Sequence, residues 1–525
     1  MTRRQAQQQE QAQSRVIHSP DVFTQTKVEA VSGFAVSAET PCFVINAVDW
    51  RGIEPFEWLA AEGAAIAGKC VGAKGLRAFQ DYLTRSLIDK GYITSRILIP
   101  EQNLASGLLI MQVVAGRIGK TREQGAAPGM IRMVLPNEEG DLLNQRDLDQ
   151  ALENVRRLAG QHAVEFDLVP GANPGETDIV VKHPEAARWR GLVTLDDSGA
   201  DSTGKYQLGA VLTVDSLLHL YDALTVTLNH NANYGNASQG TGSSSINWTV
   251  PFGYWNFLLS ANQSKYRQTV AGFSGDIVYS GHSDGLEIGA GYATYRTSSA
   301  KGAIQFKLNR KVSRSRIDDT EVDVQYRNVV GYDASVTHRQ YLGNSTFDLG
   351  IGMRGSLPQH SNAPGLIVGA PEWNGRYRIQ TANASVSVPL QLGEQQFRYQ
   401  GSARIQHAAT LLPSFEFFSI GNRYSVRGFD GASTLAAEDG WLFRNDFSWL
   451  IGRSGHEVFL GVDTGRVGGP SADTLLGKSL TGAVLGLRGR INRFNYEITV
   501  GRPLKKPAGF NAEQPTITAS LGAEF

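Results

Sequence analysis

Four short strings in this 525-residue chain have residue types and spacings that could do chemistry. GHSDG at 281–285 has the G-x-S-x-G spacing that raises a serine nucleophile on a strand-to-helix elbow. GIGMRG at 350–355 has the glycine spacing that lets a backbone approach a pyrophosphate, and GKS at 477–479 ends like a phosphate loop. IGNRYSVRGFDG at 420–431 sets Arg427 between Val426 and the Gly428-Phe429 pair. The first three fail on context. GHSDG runs into an alternating strand pattern, no helix follows GIGMRG, and Ala472 stands where a phosphate loop requires glycine. No catalytic cluster is left, and the chain is not expected to be an enzyme.

Arg427 is different. Glycines at 421, 428 and 431 suit a turn, but a solvated turn leaves Val426 and Phe429 unexplained. A guanidinium taken out of water needs a carboxylate, preferably held through two parallel hydrogen bonds, because burying it alone is costly. FLGVDTG offers Asp463, read as lying on the strand parity opposite Phe459, with Gly461 removing bulk between them. The chemistry is then mechanical: an ion pair that holds a loop. The alternative is a solvated loop arginine with incidental neighbours.

The elements that must position this pair read as a membrane barrel. Beyond Arg188, KYQLGAVLTV, ALTVTLNH, SINWTVPF, AIQFKLNR, STFDLGIGM, NASVSVPL and TITASLGAEF alternate apolar with small or polar residues, as strands do with one face on lipid and one on a polar lumen. About sixteen such segments occur. From a periplasmic start, even connections should be tight and odd ones long. Residues 215–221, PFGYWN, TSSAKG, LGNS and IGRSG are short, whereas 231–242, 266–282, 355–375, 409–439, 465–480 and 503–514 are long. Arg427 thus lies in the long connection between strands 11 and 12, and Asp463 in strand 13.

Composition agrees. Lys plus Arg (50) equals Asp plus Glu (50), so no overall basic field points to nucleic acid. No apolar run of about 18 residues exists, which excludes a helical membrane span and leaves a barrel open. No basic start followed by an apolar stretch occurs, so any export signal is expected to be already removed.

Upstream of the barrel, residues 1–30 are rich in Gln, Arg and Ser, and a helix there would be polar all round. Residues 40–118 read as a small α/β unit, with Leu76, Phe79, Leu83 and Leu87 at helical spacing, Gly91 as a stop, and YITSRILI and GLLIMQVV as strands. A second unit over 119–185 repeats the order: MIRMVLP as a strand, a helix with Leu148, Leu152 and Val155 on one face, then AVEFDLV and TDIVV. Cys42 and Cys70 are the two cysteines. Two ligands are too few for a structural metal, so a disulfide in an exported domain is expected, with two free buried thiols as the alternative.

PCFVI with GKCVG, GYITSRILIPEQNLASGLLIMQVVAGRI, LNQRDLDQALENVRRL with VPGANPGETDIVV, LDDSGADSTGKYQLG and IGNRYSVRGFDG occur in that order, and together they resemble the two-partner secretion transporters of Gram-negative outer membranes. The resemblance implies a plug helix over 1–30, a linker over 31–39, two periplasmic POTRA domains over 40–118 and 119–185, and a sixteen-stranded barrel over 186–525. It also implies a loop, about 409–439, folded into the lumen. Carried over, Arg427 is the loop arginine, Val426, Gly428 and Phe429 complete its motif, and Asp463 is the partner on the wall. Asp197, where the family has asparagine before Ser-Gly, is a departure. The implied function is secretion of a long β-helical exoprotein that binds the POTRA domains, a contact-dependent growth-inhibition toxin or a related haemolysin or adhesin. A monomer in outer-membrane lipid, with no cofactor, metal or nucleic acid, is expected. A BamA-type barrel-assembly factor is the alternative; it shares the loop motif but has more POTRA copies. A diffusion porin would have no use for residues 40–183.

Overall fold

The computed structural model describes Phe34 and residues 38–233, 239–271, 276–362 and 375–525. The polar helix expected over residues 1–30 lies outside the described residues.

The first α/β unit has helices α1 (Leu59–Gly63) and α2 (Ala73–Asp89) on one side of three strands. Strand Ala47–Arg51 pairs in parallel with Leu108–Val114, which pairs antiparallel with Arg96–Leu98. Phe79, Leu83 and Leu87 recur every four residues, so α2 buries one stripe against this sheet, while Leu76 sits at its margin. The Glu39 carboxylate accepts the N–H groups of Gly72, Lys74 and Gly75 at 2.7, 3.0 and 2.8 Å, capping the N-terminus of α2 with a charge that its dipole favours. A disulfide joins Cys42 to Cys70 beside that cap.

The second unit is built around α3 (Gln145–Arg156), whose start is capped by Asn144 Oδ1 accepting from the Arg146 N–H at 2.9 Å. Its sheet has Glu176–Lys182 in the centre, parallel to Arg117–Gln124 and antiparallel to Glu165–Pro170. The segment MIRMVLP is not a strand. It forms a helical turn at Ile131–Met133, and its buried residues Ile131, Val134 and Leu135 keep helical spacing. The strand position belongs to Arg117–Gln124, whose mostly polar residues hid it, since an edge strand needs only one apolar face.

The barrel strands are β1 Trp189–Asp196, β2 Gln207–Asp215, β3 Ala223–Asn231, β4 Gly240–Phe252, β5 Trp255–Ala271 and β6 Asp276–Arg296. They continue with β7 Ala300–Ile317, β8 Arg327–Leu342, β9 Ser345–Ser356, β10 Arg378–Leu392 and β11 Gln395–Ala408. The last five are β12 Asp439–Leu450, β13 His456–Gly468, β14 Ser479–Ile491, β15 Phe494–Lys505 and β16 Thr516–Glu524. Each pairs antiparallel with the next, and β16 closes on β1 from Ser520↔Asp196 to Glu524↔Leu192. Alternation sorts the faces: in β13 Leu460 and Val462 are 55% and 42% exposed towards lipid, while Phe459 and Asp463 point inward. One connection read as long is not. Residues 266–282 continue the β5–β6 ladder to Ala271↔Asp276, because polar residues such as Lys265 and Ser283 alternate with the same period as a membrane strand.

The barrel and the second unit share a core. The connection from β2 to β3 places Tyr221, fully buried, among Leu148, Leu152 and Val155 of α3. Its hydroxyl donates to Glu123 Oε1 at 2.9 Å. The face of α3 turned away from those leucines carries Gln150, Glu153, Asn154 and Arg157 at helical spacing, and each reaches the barrel. Asn154 Nδ2 donates to the Gly253 carbonyl at 2.7 Å, and Arg157 donates to the Tyr221 carbonyl and Thr249 Oγ1 at 2.7 and 2.8 Å. Arg296 donates to Gln150 Oε1 and Glu153 Oε2 at 2.9 and 2.6 Å, and Lys301 Nζ sits 2.9 Å from Glu153.

Burial opposes the charge on Glu153, but Lys301 and Arg296 outweigh it and hold the carboxyl down at about 2. A pKa below the ordinary value of about 4.3 means that the docking contribution is complete above about pH 4.3 and is lost as pH falls through about 2. Hydrogen exchange of α3 should therefore rise across that window, and E153Q should flatten the rise. An unchanged pH profile in E153Q would show that the contact does not hold α3 to the barrel.

Candidate functional site

Residues between β11 and β12 fold inward as a hairpin, with Phe418–Ile420 antiparallel to Leu435–Ala437. At its tip Asn422 and Ser425 make a local turn: Asn422 Oδ1 accepts from the Tyr424 N–H at 2.9 Å, and Ser425 Oγ accepts from the Gly421 N–H at 3.0 Å. That turn aims Arg427 at the wall. Its Nε and Nη2 donate to Asp463 Oδ2 and Oδ1 at 2.7 and 2.8 Å, the two parallel bonds a guanidinium and carboxylate allow. The Arg427 backbone N–H adds a third bond to Asp463 Oδ2 at 3.0 Å. Asp463 is 0% exposed and Arg427 8%, so little water screens them.

The wall is cut to fit. A Cβ on Gly482 of β14 would stand 1.9 Å from the Arg427 carbonyl oxygen, and one on Gly461 of β13 would stand 2.6 Å from Arg427 Nη2. Gly428 has φ +90°, and a Cβ there would meet the Arg502 carbonyl at 2.6 Å. On the other side of the ion pair, Val426 and Phe429 join Ile420, Leu442, Leu480 and Phe510 in a buried apolar cluster, with Phe429 edge-on to Phe510 at 5.8 Å. This answers why the charge is flanked by apolar residues.

The structure brings Arg427 and Asp463 together, and it corrects the parity argument that led to Asp463. Phe459 lies on the same face as Asp463, four residues away, and two cations lie over its ring, Arg488 Cζ at 4.5 Å and Arg427 Cζ at 5.9 Å from its centroid. Leu460 and Val462 form the opposite face. The sequence reading also missed partners. Arg427 Nη2 donates to Asp446 of β12, whose other oxygen lies 3.9 Å from Arg488 Nη1. Arg488 in turn pairs with Glu457, as does Arg398, so the anchor is one end of a charged ladder across β11 to β14. The signal was present: in FRNDFSW, at 443–449, Arg444, Asp446 and Ser448 alternate with Phe443, Asn445, Phe447 and Trp449, of which the three aromatic residues are exposed.

Two more contacts hold the loop. Glu416 at its base, almost fully buried, pairs with Lys311 Nζ at 2.7 Å and Arg354 Nε at 3.3 Å on the far wall. Arg423 at its tip donates to Asp197 Oδ1 at 3.2 Å, and the Ala519 N–H of β16 donates to the same oxygen at 3.1 Å. The residue set aside as a departure thus ties the loop to the β1–β16 closure. GHSDG has no catalytic geometry: Ser283 faces the lumen beside Ser313, and His282 points the other way along β6.

These contacts rank by burial. Removing Asp463 leaves a buried guanidinium without its main partner, destabilising the docked loop by about 3–5 kcal/mol. Removing Asp446 breaks one bond to a charged group, about 1.5–3 kcal/mol. A Val426→Cys reporter, buried at 0% exposure when the loop is docked, should be labelled fastest in Asp463→Ala, slower in Asp446→Ala and slowest in the parent. Gly482→Ala removes no charge, yet it should match Asp463→Ala because its methyl occupies the Arg427 carbonyl position. Parent-like labelling of Gly482→Ala would show that the loop does not depend on this close approach.

A family model for the haemolysin secretion/activation protein ShlB/FhaC/HecB matches residues 175–489, a ShlB-type POTRA model matches 43–116, and a further POTRA model matches 117–170. Outer membrane transporter CdiB-2 of Burkholderia pseudomallei (strain 1026b) is 30% identical, over 99% of this chain and 93% of its own. The structure of CdiB from Acinetobacter baumannii superposes with a TM-score of 0.86 at 26% identity, covering 99% of this chain and 97% of that one. BamA from Haemophilus ducreyi lacking POTRA domains 1-3 matches at 15% identity with a TM-score of 0.50, over 92% of this chain and 100% of that one, a likeness of fold alone. With two POTRA domains and a closed sixteen-stranded barrel in place, the chain belongs to the ShlB/FhaC/HecB family of outer-membrane two-partner secretion transporters.

Proposed function

We propose that this chain exports a long β-helical exoprotein of the contact-dependent growth-inhibition type, and that Arg427 and Asp463 lock its pore. The observation that carries the reading of the cargo is the full-length likeness to the transporter CdiB-2. Among the described residues, Ala47–Arg51 and Arg96–Leu98 in the first POTRA sheet and Glu165–Pro170 in the second have an edge that no other strand pairs, whereas Arg117–Gln124 is bridged at its start by Asp141 and Leu142. An extended cargo segment adds to such an edge through main-chain hydrogen bonds, and side-chain pockets supply selectivity. The loop narrows the lumen while its anchor holds. Passage of the cargo breaks the anchor, and folding of the cargo outside opposes its return.

The POTRA region is tested within the whole chain, because Tyr221 of the barrel completes the core of the second domain. Cells carrying this chain and a candidate β-helical partner should release the partner. Single prolines along the Ala47–Arg51 or Glu165–Pro170 edges should lower release severalfold at unchanged transporter level, because proline removes a ladder donor. Deletion of the transporter that leaves partner export intact but depletes other barrel proteins from the outer membrane would contradict secretion and favour the assembly-factor alternative.

A further inference from the structure

Strands β5, β6 and β7 are the longest of the barrel, with 17, 21 and 18 residues, and towards the end remote from the POTRA domains their outward face changes character abruptly. Leu259, Leu286, Ile288 and Leu308 are exposed and face lipid. The ladders run without a register shift from these residues to the outer rim, so the same parity carries Lys265 and Arg267 on β5, His282 on β6, and Arg310, Arg314 and Arg316 on β7. They stand in rows: Lys265↔His282↔Arg314, and one step outward Arg267↔Ser280↔Arg316, with Arg310 opposite Leu286 at the edge of the apolar band.

Lys265 and Arg314 are separated by His282, and Arg267 and Arg316 by Ser280, so the cations are gathered on one face without touching, and their mutual repulsion is relieved where an anion lies among them. The protein supplies few. Asp284 accepts from His282 at 3.1 Å, Asp319 from Arg267 at 3.3 Å, and Glu321 lies 3.9 Å from Arg314. Lys265, Arg310 and Arg316 have no carboxylate partner among the described residues, and Arg310 donates only to Asn328 Oδ1 at 3.0 Å. The neighbouring strand is cleared beside them: Gly242 and Gly240 stand opposite Lys265 and Arg267, and a Cβ on Gly242 would meet the Lys265 stem at 3.2 Å. Elsewhere on the outward face cations stand apart, as Arg466 on β13 and Arg502 on β15 do.

We propose that this outward face of β5–β7 is a binding site for the phosphates of an anionic glycolipid in the outer leaflet. A lipid is the occupant because the cations sit directly above the apolar band, where its acyl chains pack on Leu259, Leu286, Ile288 and Leu308 while its phosphates reach the rows. Arginine suits the task, since its fork takes two phosphate oxygens at once. The site fixes the β5–β7 side of the barrel in the membrane while, on the proposed reading, Arg427 is released from β12 and β13.

The test titrates the full chain in detergent with a bisphosphorylated lipid A and reads binding by native mass spectrometry. Each cation contributes about fivefold to affinity, so the R310Q/R314Q/R316Q variant should bind about a hundredfold more weakly. The R466Q/R502Q variant on the other wall should bind like the parent, and dephosphorylated lipid A should bind the parent and the triple variant equally weakly. Parent-like affinity of the triple variant, or tight binding of the dephosphorylated lipid, would overturn the proposal. So would displacement of lipid A by inorganic phosphate at equal concentration, since the site would then take a free ion. Heat-modifiable gel migration reports folding; should the triple variant not fold, K265Q alone is expected to bind about fivefold more weakly, and an unchanged affinity would overturn the proposal.

Discussion

A carboxylate with no access to water is the constraint around which the barrel interior is arranged. Asp463 is fully buried in the wall, and taking such a group out of water costs several kcal/mol unless cationic donors surround it. Arg427 supplies two side-chain bonds and a backbone N–H. The hairpin must therefore enter the lumen, its tip must turn sharply enough to aim one guanidinium, and the opposing strands must be bare enough to admit a backbone. Gly461 and Gly482, which look like weak points in two strands, are explained by that last requirement.

The anchor is more than a single ion pair. The ion pair is sealed on one side by the apolar cluster around Phe429 and continues on the other into the ladder through Asp446, Arg488 and Glu457. Arg444 and Arg488 lie beside the same carboxylates, with Arg444 Nε 3.9 Å from Asp463 and Arg488 Nη1 3.9 Å from Asp446, so the wall itself supplies part of their compensation. A lone buried carboxylate would make release prohibitive. A fully solvated one would make the closed state weak. The second POTRA domain is joined to the barrel turns by the same kind of direct contact, through Tyr221, Arg157 and Glu153.

Much of this was legible in the sequence because membrane strands alternate with period two and connections alternate in length. Arg427 was legible because a charge between Val426 and Phe429 has no reason to sit in a solvated turn. Asp463 was found for a reason that does not hold, since Phe459 shares its face; the better signal was its alternation with Leu460 and Val462. Asp446 and Glu416 were missed because a lumen-facing carboxylate has the same pattern whether it lines water or meets a folded-in loop. MIRMVLP misled because a short apolar run does not declare its period, and Arg117–Gln124 was overlooked because a polar edge strand resembles a loop. Docking through Tyr221 was out of reach, as it joins residues far apart in the chain.

The measurement that tests the central claim most directly is the coupling between Arg427→Ala and Asp463→Ala in a double-mutant cycle on loop docking. Groups sharing buried bonds should couple by about 2–3 kcal/mol, so that the double variant falls short of the sum of the two single effects by that amount. Effects that add to within about 0.5 kcal/mol would mean that Arg427 and Asp463 act separately, and the account of the loop as held by this pair would be wrong.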